Sequence, residues 1–251
     1  MGGRGSIRVV ALALLLAAGS GSVAPAAAAQ VQAAAPRSFV TEHRGRFNGR
    51  EVRYRASVTE AILANREGRP AASVFTIAYT ALRSRPDPTR PVIFLFNGGP
   101  GSPSMLLHMG AFGPKRVALP ADPATPITGD EPLVDNPHTV LDIADLVFID
   151  PPGTGYSRIL PNAAPGAFYT AEADAAAVSE VISRWLRDHG RQQSPAYILG
   201  ESYGAIRAAL VSRNLAAAPG AARLNGIILI GQSLNLIETM QRPANIVSHM
   251  V

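Results

Sequence analysis

Four short runs constrain the fold more than anything else in this chain: Val92–Phe96 (VIFLF), Leu146–Ile149 (LVFI), Ala196–Leu199 (AYIL) and Ile227–Ile230 (IILI). None alternates polar with apolar residues, so none can keep one face in water. Such runs fit strands covered on both faces. Helical patterns lie between them. Thr170–His189 keeps Val178, Val181, Ile182, Trp185 and Leu186 on one face, opens with Glu172 and Asp174, and closes with Arg187, His189 and Gly190. Acids in the first turn and cations in the last suit the helix dipole. Tyr203–Ala216 gives a second helix. Buried strands alternating with helices predict an α/β fold, a mostly parallel central sheet with helices on both faces.

Ahead of this unit, Glu51–Val58 and Ala72–Ala81 are β-rich runs separated by the turn-like ANREGRPA, which predicts an antiparallel pair at a sheet edge. Arg83–Arg90 is a Pro-rich loop, and residues 114–137, with six prolines and no periodicity, read as an excursion loop. The first 29 residues form an export signal: Arg4 and Arg8, the apolar run Val9–Ala18, a Gly19-Ser20-Gly21 break and Ala27-Ala28-Ala29 for cleavage. The run is short for a membrane span of about 20 residues. The expected product is secreted or periplasmic, with no stable membrane insertion after cleavage. Residues 30–44 are expected to be a loose amino-terminal segment and 45–251 a partial catalytic domain.

Composition narrows the function classes. Hydrophobic residues are 47% and charged residues 16%, enough apolar material for a packed core. The net charge of +5 is scattered and forms no basic run, which argues against nucleic acid as a partner. There is no cysteine, so neither disulfides nor thiolate metal sites are available. Nothing points to a metal or an organic cofactor.

Three glycine-rich turns follow three of the apolar strands. Gly200-Glu201-Ser202-Tyr203-Gly204 is a G-x-S-x-G between strand and helix. A serine at such a sharp turn is raised above the sheet edge at a helix amino terminus, and glycine is needed two residues either side. Ser202 is therefore the candidate nucleophile. Asn97-Gly98-Gly99-Pro100-Gly101 follows VIFLF, where hydrolases of this kind place half of an oxyanion hole, the other donor being the amide of Tyr203. Asp150-Pro151-Pro152-Gly153-Thr154-Gly155-Tyr156-Ser157 follows LVFI and reads as a stiff structural rim; Asp150 precedes the serine and is out of order for a triad acid.

These segments resemble the serine carboxypeptidase family, of the α/β-hydrolase fold, and the composition and cleavable leader resemble those of a bacterial member. The matching pieces are NGGPGS at 97–102, FGPKRV at 112–117, DNPHT at 135–139, LVFIDPPGTGYS at 146–157 and LGESYGA at 199–205. The resemblance implies that Ser202 is the nucleophile and that the amides of Gly99 and Tyr203 form the oxyanion hole. It implies that the side chains of Asn97 and Glu201, with the amide of Gly98, hold the carboxylate of a peptide substrate. Two carboxyl groups side by side are tolerable only with a shared proton, so such binding favours acid. Family members often carry a second glutamate where this chain has Ala111, which leaves Glu201 as the one visible acidic partner.

A triad on this fold takes its acid and then its histidine from after the serine. The only acid there is Glu238 and the only histidine His249, eleven residues apart in a polar stretch, a poor pair for the task. His43, His108, His138 and His189 precede Ser202 and read as surface or packing residues. The expectation is a hydrolase domain truncated before its cap and final strands. The alternatives are a proline iminopeptidase-like or ester hydrolase of the same fold, or a non-catalytic remnant.

Overall fold

The computed structural model describes residues 35–85, 87–122, 124–217 and 224–233. The expected export signal, Glu238 and His249 lie outside the described residues. Two units divide between Ala35 and Pro36, and every element below belongs to the second.

The chain opens with a meander: β1 (Ser38–Phe47), β2 (Arg50–Ala64) and β3 (Pro70–Ala81), each antiparallel to the one before. The β2–β3 turn falls where ANREGRPA predicted it. The parallel core follows, with β4 (Val92–Phe96), β7 (Asp145–Ile149), β9 (Ala196–Glu201) and β10 (Leu224–Ile230). The order across the sheet is β1-β2-β3-β7-β4-β9-β10, and β8 (Arg158–Ile159) adds a short rung to β3. The β2–β3 pair is thus not at the edge; β1 is.

The segment expected to be loose to residue 44 instead carries β1 from Ser38. Its residues are exposed on both faces from Ser38 to Arg44, so no apolar alternation marks it, and its order comes from the full ladder with β2. The excursion loop also holds structure, a small antiparallel hairpin of β5 (Lys115–Val117) and β6 (Leu133–Asp135).

Alternation along β4 explains the two cores. Phe94 and Phe96 face the helices α2 (Ala171–Asp188) and α3 (Gly204–Ala217), joined by Val147, Ile149 and Ile198. Leu95, Leu146, Phe148 and Leu199 face the other side, covered by Phe47, Tyr54, Leu141 and Leu107 of the short α1 (Met105–Leu107), which runs into a π-helical turn, His108–Phe112. Helical segments therefore lie on both faces, with both long helices on one. All of β7 is buried, as its unbroken apolar run requires. In β10, Ile227–Ile230 are 37–42% exposed, because β10 is the outer strand among the described residues. This differs from the buried strand expected there.

Helix α2 follows its sequence signals. Thr170 caps it by accepting from the amide of Ala173 at 3.2 Å, and Gly190, at φ +63°, ends it in the left-handed conformation. Trp185 packs edge-on against Phe94. Asp145, 2% exposed, bridges Arg90 at 2.7 Å and Arg191 at 2.5 Å and takes the amide of Ala81 at 2.9 Å. This cluster locks the amino ends of the parallel strands; the glycine-rich turns lie at the carboxyl ends, where such sheets bind ligands.

Candidate active site

The three turns meet at the carboxyl ends of β4, β7 and β9. At the end of β9, Ser202 has φ +57°, one of two non-glycine residues with positive φ among those described. A non-glycine residue in this region costs about 1–2 kcal/mol, so the surrounding structure must hold it there. The Ser202 amide donates to the carbonyl of Ile230 at 2.9 Å, and its carbonyl accepts from the amide of Ala205 at 2.9 Å as α3 begins. Ser202 is thus clamped between β10 and the first turn of α3.

Close approach dictates glycine at two places. A Cβ on Gly200 would fall on the carbonyl oxygen of Gly204, so the turn closes only without a side chain there. A Cβ on Gly98 would lie 2.7 Å from the carbonyl oxygen of Glu201 and 2.8 Å from the amide of Gly204. The NGGPG turn therefore sits directly on the serine turn. The amides of Gly98, Gly99 and Tyr203 donate to no described residue. Unpaired N–H groups crowded at a helix amino terminus make a region that attracts anions.

Asn97 and Glu201 come together as a pair. Asn97 is 1% exposed, and its Nδ2 donates to Glu201 Oε2 at 3.0 Å. Its Oδ1 accepts from the amide of Leu107 at 3.1 Å, so both ends of the amide are fixed. Glu201 and Ser202 are partly exposed and Tyr203 is buried, its ring turned inward. Burial, and then the negative charge of Asp174, push the Tyr203 phenol above its ordinary pKa.

The third turn has a structural part. Asp150, 4% exposed, accepts from the amide and the hydroxyl of Ser104, both at 2.8 Å, and its carbonyl accepts from Ser157 Oγ at 2.6 Å. It ties the NGGPGSPS turn to the DPPGTGYS turn. The DNPHT segment also braces the site from behind: Asn136 Nδ2 donates to the carbonyls of Ala111 and Gly113, and Thr139 Oγ1 to that of Phe112. Ala111 is exposed and brings no acid to the pair of Asn97 and Glu201.

The described histidines have other partners. His108 pairs with the Tyr79 hydroxyl at 2.6 Å, packs tilted against Phe148, and is pushed down to about pKa 4, mainly by burial and against the pull of Asp150. His189 caps α2 and stacks on Trp185; His43 bonds Thr41 and stacks on Tyr54; His138 is exposed. Among the described residues, no cluster of three His, Asp or Glu could hold a metal, and no helix is long and apolar enough to cross a membrane.

Sequence reasoning missed two residues beneath the site. Arg207, 1% exposed, donates through Nε to Asp174 Oδ2 at 2.7 Å and through an Nη to the carbonyl of Asn97 at 2.5 Å. Its guanidinium lies 5.3 Å from the ring centres of both Phe96 and Tyr203. One signal was available: Tyr203, Arg207 and Val211 share a helical stripe, which places the arginine in line with core residues.

Residues 72–240 match the serine carboxypeptidase family. Comparison with curated protein sequences gives no match. Among solved structures, the chain is similar to a prohormone-processing carboxypeptidase from Saccharomyces cerevisiae, with a TM-score of 0.52 and 20% identity over 71% of this chain and 39% of that one. It is also similar to a peroxisomal α/β-hydrolase from Saccharomyces cerevisiae, with a TM-score of 0.42 and 11% identity over 80% of this chain and 44% of that one. The chain spans less than half the length of both. Its fold is that of the α/β-hydrolases, and by the match over more than half its length the chain belongs to the serine carboxypeptidase family.

Proposed function

We propose that the protein is a serine carboxypeptidase that releases residues from peptide carboxyl termini through an acyl-enzyme at Ser202. The observation that carries this reading is the strained, clamped conformation of Ser202 beside three main-chain amides that donate to no described residue. In this reading Ser202 Oγ attacks the scissile carbonyl. The developing oxyanion is held by the amides of Gly99 and Tyr203, each donor contributing about 3–4 kcal/mol to the transition state. Asn97, Glu201 and the Gly98 amide hold the substrate's terminal carboxylate, Asn97 being already fixed for the purpose by Leu107. The acid and base that activate Ser202 lie outside the described residues. Residues 1–29 direct the protein to export, so it works on peptides outside the cytoplasm.

The test compares matched peptides that differ only in a free or an amidated carboxyl terminus. The reading predicts a higher kcat/KM for the free acid, and a preference that shrinks in Asn97→Ala and Glu201→Ala. Equal rates on both peptides would move the reading to an aminopeptidase or esterase of the same fold.

A further inference from the structure

We infer that Arg207, held by Asp174, is a positioning residue for carboxylate recognition, acting through the Asn97–Gly98 peptide group. The inference rests on the proposed role of Gly98. A trans peptide group is planar, and its carbonyl and N–H point in opposite directions. The carbonyl of Asn97 accepts from the Arg207 guanidinium at 2.5 Å. The N–H on the other side of that peptide group belongs to Gly98 and donates to no described residue. Fixing the carbonyl therefore fixes the direction of the free N–H. A cation on the carbonyl also polarises the group and strengthens its N–H as a donor toward an anion.

The surroundings suit this task better than they suit stability alone. Arg207 is buried, and burying a charged pair costs more than packing apolar side chains of similar size. The pair is oriented from several sides. Asp174 of α2 takes Nε, and the rings of Phe96 and Tyr203 flank the guanidinium. One side chain thus joins the end of β4, the serine turn and α2. A lysine has no planar fork, and its single ammonium would serve Asp174 and Asn97 less well together.

The test is binding without turnover, in the protein carrying Ser202→Ala, by calorimetry with an alanine tripeptide as free acid and as amide. The parent should prefer the acid. Arg207→Met should reduce that preference by about tenfold, the worth of one hydrogen bond to a charged group, and Arg207→Lys by less. Arg207→Met leaves Asp174 buried without its partner and can fail to fold. The double variant Arg207→Met/Asp174→Leu removes both charges; it should fold, with a Tm lowered by the buried Asn97 carbonyl left without its donor, and its acid preference should fall about tenfold as in Arg207→Met. A folded double variant with the full preference would overturn the inference and leave the carboxypeptidase reading standing. No acid preference in the parent would overturn both.

Discussion

Ser202 shows how much one backbone angle can carry. Its φ of +57° is costly for any residue with a Cβ. Glycine relieves that strain but has more freedom to lose from the unfolded chain. Ser202→Gly should therefore stabilise the fold by about 0.5–1 kcal/mol, measured by urea denaturation, while Ser202→Ala, which keeps the Cβ, stays within about 0.5 kcal/mol of the parent. A destabilised Ser202→Gly would show that the turn is not strained. At Gly200 the sign is opposite. Gly200→Ala drives a methyl into the carbonyl of Gly204 and should cost about 3 kcal/mol or more. Gly110→Ala, where a Cβ meets nothing within 4 Å and the backbone is helical, should stabilise by about 0.4–1 kcal/mol in the same assay. The serine and its glycines were legible because the pattern requires those residue types at fixed spacing. Arg207 was not, since an arginine in a helix is usually solvated, and only the tertiary contact with Asn97 gives it a task.

Elements were legible in proportion to how far burial dictated their composition. β4, β7 and α2 lie almost where their apolar residues put them. β1 was not seen, because a strand exposed on both faces keeps a polar sequence, and β8, with two residues, is too short for any period. At the end of α2, Thr170→Ala removes a cap and should cost about 1 kcal/mol in urea denaturation. Between β3 and the π-helical turn, His108 ties stability to pH. Its folded pKa, about 4, is depressed from the ordinary 6.5 by burial. The unfolded chain therefore binds the proton more readily, and stability present above pH 6.5 is lost as pH falls toward 4. The loss over that window is about 3 kcal/mol. His108→Gln keeps a partner for Tyr79 without titrating, so the difference between variant and parent should change between pH 6.5 and 4 and be flat above. A constant difference across that range would place the acid sensitivity elsewhere.

For the molecule as a whole, the sequence carried the fold class and the meeting of three turns, because strand, turn and helix followed each other with the right residue types. It did not carry the bracing behind the site, where Asn136 and Thr139 hold loops together by hydrogen bonds that leave no periodic trace. It also did not predict that the two long helices share one face. The account stands on Ser202 as the attacking residue. The direct measurement is covalent labelling of the protein with a fluorophosphonate probe, followed by peptide mapping by mass spectrometry. The account predicts one labelled peptide, containing Ser202, and no labelling in Ser202→Ala. Labelling that persists in Ser202→Ala at the parent's rate would contradict it.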